Sequence, residues 1–177
     1  PPFLTGASPP AWYGRGSMAV QGDRADQRAH GDRETPTQRR RLWVSRSPGR
    51  VVVRYADGRL LKGYADFDPD QPCLRLAPLG EPDAHPLEVP VKELKAVFFV
   101  RTFEGNPGYD ESTDLYQPRP AGTRKVSVRF RDGEELVGYT RQLDRHRAGL
   151  FFTPLDSRSN NLRVFAVFDA LWGVQRL

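Results

Sequence analysis

The sequence contains no isoleucine, a single cysteine, a single methionine and only four lysines, and it has no long hydrophobic run. Each shortage excludes something. A bilayer-spanning helix needs roughly 20 consecutive apolar residues, and nothing here approaches that. Cys73 on its own excludes a disulfide framework and any cysteine-rich zinc site. The three histidines, His30, His85 and His146, are not spaced with another ligand type as a metal site requires, so they read as solvated loop residues and no metal or other cofactor is expected. Cys73 opens a predicted strand and reads as a packed, inert thiol rather than a nucleophile. No Gly-x-Ser-x-Gly elbow, Walker loop, dinucleotide fingerprint or EF-hand pattern occurs, and no enzyme is expected.

The basic residues are 23 arginines and the four lysines Lys62, Lys92, Lys95 and Lys125. With isoleucine absent, that bias reads as the codon usage of a GC-rich genome rather than as phosphate recognition. The excess charge is also confined. Residues 1–50 hold nine arginines against four acids, which accounts for the whole formal net charge of +5, and the remainder is neutral. Only 14 of those 50 residues are apolar, too few to offset the entropy of ordering the chain. Residues 1–41 are therefore expected to be a disordered basic tail, with Leu42-Trp43-Val44 as the one apolar cluster near its end. The chain opens at Pro1 and its only methionine is Met18, so residues 1–17 read as upstream translated sequence, a fragment end or an expression remnant. No basic start precedes a long apolar core, so no signal peptide is expected.

What the sequence does contain is an internal repeat. VVVRYADGRLLKGY at 51–64 is echoed by VSVRFRDGEELVGY at 126–139. At an offset of 75, Val51, Val53, Arg54, Asp57, Gly58, Leu61, Gly63 and Tyr64 recur as Val126, Val128, Arg129, Asp132, Gly133, Leu136, Gly138 and Tyr139. One residue further on, Asp68, Leu74, Pro78 and Leu79 recur as Asp144, Leu150, Pro154 and Leu155. Each copy reads as five short strands. Val51-Val53-Tyr55 alternates with period 2, Asp57-Gly58 supplies a hairpin turn, and Gly63 interrupts the second strand as a bend or bulge. Strands over 73–77 and 87–91, one helical turn at 92–95 and the apolar strand 96–100 complete the first copy. The second follows with strands over 126–130, 135–143, 149–153, 162–168 and 174–177, with a turn at 169–171.

The fold expected is all-β: two tandem, pseudo-symmetric five-stranded small barrels of SH3-like or Sm-like type behind the disordered tail. The boundaries are 42–100 for the first repeat, 101–123 for a Pro/Gly-containing linker and 124–177 for the second. One merged ten-stranded sandwich is the alternative, because a barrel of some 50 residues has a marginal core.

The hairpin Asp57-Gly58…Gly63…Phe67-Asp68 and its echo Asp132-Gly133…Gly138…Leu143-Asp144 resemble the first motif of Sm-like proteins. Where the second Sm motif has an apolar-Arg-Gly turn, this chain has Leu94-Lys95-Ala96 and Leu171-Trp172-Gly173. The resemblance implies an RNA-binding alternative, with Arg54, Arg59, Arg129 and Arg131 on one face and Tyr64 or Tyr139 exposed for base stacking. The phrases KAVFFVR at 95–101, GLFFTPLD at 149–156 and SNNLRVF at 159–165 look like an uncharacterised bacterial family found as short proteins or beside signalling domains. That resemblance implies a cytoplasmic regulatory or interaction module, binding a protein partner or another copy of itself, and it brings no catalytic residues. Arg46 and Arg50 resemble the Arg-x-x-x-Arg clasp of PilZ domains, which implies cyclic-dinucleotide sensing as a further alternative. The polar loop 156–161 offers Arg158, Ser159, Asn160 and Asn161, with Arg163 beside it, as hydrogen-bonding and anion contacts for a ligand or partner. The preferred reading of the same loop is a turn at Asn160-Asn161. Asp68 and Asp144 are the carboxylates an enzyme would use, although their repeated position suits turn capping. Val97–Val100 and Leu150–Phe152 read as core, or as a binding patch where they reach an outer face.

Overall fold

The computed structural model describes residues 49–81, 84–106, 108–109 and 119–177. The expected tail, the cluster at 42–44, Arg46 and, within the linker, residues 107 and 110–118 lie outside the described residues. Local chemistry sets the hairpins. Between β1 (Gly49–Tyr55) and β2 (Leu60–Asp66), Gly58 takes φ 92° and the Asp57 carboxylate accepts the Arg59 backbone N–H at 3.0 Å. Between β6 (Arg124–Phe130) and β7 (Glu135–Thr140), Gly133 takes φ 90° and Asp132 accepts the Glu134 N–H at 3.1 Å. A three-residue loop ending in a left-handed glycine is a standard way to close a twisted antiparallel pair.

The remaining strands are β3 (Cys73–Pro78), β4 (Leu87–Pro90), β5 (Leu94–Val100), β8 (Gly149–Pro154), β9 (Asn161–Val167) and β10 (Leu171–Arg176). Single 3-10 turns, η1 (Val91–Glu93) and η2 (Phe168–Ala170), precede β5 and β10. Pairing coincides at the sequence offset: Val51 faces Gly63 as Val126 faces Gly138, and Gly63 faces Pro78 as Gly138 faces Pro154. Glycine is required at both bends. A Cβ on Gly63 would sit 2.1 Å from the Ala77 carbonyl oxygen, and one on Gly138 2.2 Å from that of Thr153.

All ten strands belong to one antiparallel sheet, ordered β10-β6-β7-β8-β9-β5-β1-β2-β3-β4. This corrects the expectation of two barrels each closed on itself, because the sheet is continuous and open. The physical reason is the occupation of β5. One of its edges pairs with β1, and the other pairs with β9 of the second half rather than with β4 of its own.

The apolar side chains explain why that pairing wins. In β5, Val97 and Leu94 enter a cluster with Val51, Val53, Leu74 and Leu76, while Ala96, Phe98 and Val100 enter another with Val126, Val128, Phe130 and Phe152. β9 divides likewise, Phe165 and Val167 going to the first cluster and Val164 and Ala166 to the second. A strand buried on both faces needs a continuous apolar run, which KAVFFV and VFAV supply. Fully burying a Phe or Val side chain contributes about 1.5–3 kcal/mol. A junction built from several such residues therefore outweighs what β5 would gain against the short, Pro-flanked β4.

Candidate partner-binding groove at the open sheet edge

The two halves carry a bulge at the same station. Tyr55 pairs with Leu94 and Arg54 with Ala96, so Lys95 is skipped. Phe130 pairs with Leu171 and Arg129 with Gly173, so Trp172 is skipped. A bulge re-aims the side chain of the extra residue. Lys95 is thereby turned onto the hairpin turn of the other half, where its ammonium donates to both Asp132 and Glu134 and lies 4.6 Å from the centre of the Phe130 ring. Arg54 reaches the same Glu134 at 3.0 Å. Lys95 is only 5% exposed, and two carboxylates and an aromatic face offset the cost of taking it out of water. The Lys95 hydrogen bond, aided by the Glu134 backbone N–H, holds the Asp132 carboxyl below its ordinary range.

Trp172 has no such neighbour. It is 69% exposed, with the Arg131 guanidinium 5.3 Å from its ring centre and Arg129, Gly133 and Glu135 sharing a shallow depression with it. Arg131 itself is held by the Asp169 carbonyl at 2.8 Å. Among the described residues β10 pairs with β6 alone, and its first four residues form one wall of a groove of about 930 Å³. Val91, Val167, Phe168, Leu171 and Val174 give this groove an apolar lining, and Gln71, Pro72, Cys73 and Pro90 bring in the first half. Among the described residues its charged lining is Lys92, Arg145 and Arg147 against a single acid, Asp169, with His146 beside them. Arg147 is weakly tethered to Asp70 at 3.7 Å and Asp144 at 3.9 Å. Lys92 and Arg145 have no ion-pair partner among the described residues. The arrangement can bury an apolar side chain and balance negative charge, and its size is that of a small-ligand or short-peptide site.

The residues singled out from the sequence go elsewhere. In the polar loop, Ser159 is 0% exposed and its hydroxyl accepts the Asn161 N–H at 2.9 Å. The Asn160 amide bonds the backbone of Thr102 twice, at 3.1 Å each. Arg101 donates to the carbonyls of Ser157 and Ser159. The Asp156 carboxylate, buried, accepts the Arg158 N–H at 2.8 Å and the Tyr109 hydroxyl, a bond that raises the phenol's pKa. The loop is a clasp fastening the end of β5, with Arg158 exposed over the Tyr109 ring at 5.5 Å. Asn161 faces Val100 at the start of β9. Arg163 lies 3.5 Å over Phe151, beside the half-buried Phe67 and Phe99.

Of the set expected to contact nucleic acid, Tyr64 and Tyr139 are buried, at 9% and 7% exposure, so neither offers a free stacking face. Tyr64 packs edge-on against Phe103, and the Lys125 ammonium lies over Tyr139. Arg59 stacks on Tyr55 and pairs with Asp57, lowering that carboxyl together with the Arg59 backbone N–H. Arg129 leans on Glu135 at 3.5 Å. Arg50 donates to the Arg101 carbonyl, and its expected companion Arg46 lies outside the described residues. Asp68 and Asp144 cap turns, accepting the N–H groups of Asp70 and His146.

The groove was missed because its lining comes from four separated stretches. The signal that could have found it is the motif comparison, which sets Leu171-Trp172-Gly173 against Leu94-Lys95-Ala96 and so Trp172 against Lys95. Compared with known proteins, residues 47–177 match the model of a family of unknown function, and no curated protein and no solved structure matches the chain.

Proposed function

This chain belongs to the family of unknown function DUF6982, and we propose that it is a non-enzymatic interaction module that binds a protein partner at the open edge of its sheet. The observation that carries the reading is Trp172, 69% exposed on an edge strand whose outer side has no strand partner among the described residues, beside an apolar, basic-rimmed groove. Tryptophan and arginine dominate the energetics of protein interfaces. On this reading the two halves are tandem copies of one Sm-like or SH3-like small-barrel unit, fused through β5 and β9. The shared strand order and offset register support that view. A bacterial cytoplasmic regulatory setting is part of the same proposal and rests on the sequence resemblance. Regarding membranes, no helix among the described residues is long and apolar enough to cross one.

The test is site-specific photo-cross-linking in cells, with the reactive amino acid substituted for Trp172 in one version of the full chain and for Leu162 in another. Leu162 is 45% exposed on β9 and does not line the groove. A discrete protein adduct from position 172 and not from 162 is expected. Adducts that nuclease removes, or none at all, would contradict the proposal.

A further inference from the structure

Resting on that reading, we infer that the occupant of the β10 edge is an acidic, extended segment of another protein, laid along β10 as β9 is laid along β5. Three observations meet. First, the internal junction supplies the precedent. The outer edge of β5 is covered by an antiparallel strand, and the bulge residue beside it is buried by its neighbour. At the matching station no strand among the described residues covers the edge of β10, and the bulge residue Trp172 is exposed. A strand edge with free N–H and C=O groups is a template for one more strand.

Second, the charge lining the groove is predominantly positive. Lys92 and Arg145 line the groove without an ion-pair partner among the described residues, and Asp169 is the only acid on its described lining. Arg131 and Arg176 flank the strand itself. A ligand that brings carboxylates to this rim gains attraction both on approach and when bound, whereas a basic one is repelled.

Third, the chain's own opposite edge is a poor occupant. β4 has only four residues and ends in Pro90, with Pro86 just before it, and prolines at these positions blunt strand pairing. A head-to-tail second copy would have to use that edge. The residues of 1–48 carry a basic excess and are repelled by the same rim.

In an extended segment alternate side chains face the groove, so apolar residues would fill the lining around Trp172 while intervening acids meet the basic rim. The experiment is selection of random 12-residue peptides displayed on phage against the full chain, followed by fluorescence-polarisation binding of the winners. Selected peptides are expected to be net negative, with apolar residues at alternate positions. Lys92→Glu with Arg145→Glu should weaken them by about thirtyfold or more, the size of a hot-spot loss. Hydrogen exchange of β10 amides should slow when the peptide is bound. Selected peptides that are neutral or basic, unchanged binding to the charge-reversal variant, no enrichment at all, or unaltered β10 exchange would each overturn the inference. A protein adduct at position 172 alongside any of those results would leave the interaction-module reading standing and sink only this one. A concentration-dependent dimer that Trp172→Ala abolishes would overturn it in favour of a second copy.

Discussion

Lys95 and Trp172 occupy the same place in two halves of one chain and meet opposite fates. Both follow a leucine that caps a 3-10 turn, and both are skipped by the ladder of a first strand ending in an aromatic residue. Lys95 is 5% exposed and locked onto the turn of the neighbouring half, whereas Trp172 is 69% exposed. The strands they sit on differ in the same direction. β5 presents Ala96, Phe98 and Val100 to the other half's core, and the corresponding run on β10 is Gly173, Gln175 and Leu177, all exposed. One strand edge is built for burial inside the molecule and the other is left available at its surface. The comparison teaches that a shared backbone station can serve cohesion or recognition, depending on whether the side chains on its free face are apolar.

The largest expected effect breaks the cohesive side. Phe165→Ala removes a fully buried ring of β9 that packs on Phe67 and Phe151, and urea unfolding should show a loss of about 3–5 kcal/mol. Gln175→Ala, exposed on β10, should stay within about 0.5 kcal/mol of the parent. A Phe165 variant losing under about 1 kcal/mol would mean that β9 does not join the halves. Next come the paired bends. Gly63→Ala and Gly138→Ala each force a methyl group into a backbone carbonyl, and each should cost about 2–3 kcal/mol. A large difference between the two would break the equivalence of the halves.

Lys95→Ala should follow, at about 1–2 kcal/mol by the same measurement. Its carboxylate partners are 53% and 33% exposed and can be rehydrated, which keeps the loss below that of a fully buried pair. The Asp132 carboxyl also gives this junction a pH signature. Its folded pKa lies below the unfolded value of about 3.9. Between the two values the unfolded chain binds more protons, so the stabilisation is present above about pH 4 and is lost as pH falls through the folded value. Asp132→Asn should flatten that acid limb, read as melting temperature against pH. The smallest effect on stability is expected at the other station. Trp172→Ala should shift stability by under about 0.5 kcal/mol while abolishing partner capture, which sharpens the division of roles.

Much of the fold was legible because it is local. Asp-Gly pairs announced both hairpins through their positive-φ glycines, and period-2 alternation marked β1 and β6. The apolar runs of β5 and β9 announced burial on two faces, but nothing in either run names the strand that supplies the second face. The merger of the halves therefore entered only as the alternative to two closed barrels. Ser159 and Asn160 show the converse. Clustered polar residues in a loop resemble a binding site, yet the end of β5 needed partners for its backbone, and these side chains supply them. The groove depends on 71–73, 90–92, 143–148 and 167–174 converging, and no single window of sequence carries that. Trp172 fell between the expected turn at 169–171 and the expected strand at 174–177, and was visible only as the middle of Leu171-Trp172-Gly173.

Hydrogen exchange on the free full chain tests the central contrast most directly. Amides of β5 and β9 should exchange only with global unfolding, while the outward-facing amides of β10 should exchange orders of magnitude faster. Equal protection of β10 and β5 would mean that the outer edge is already covered, and the account would fail.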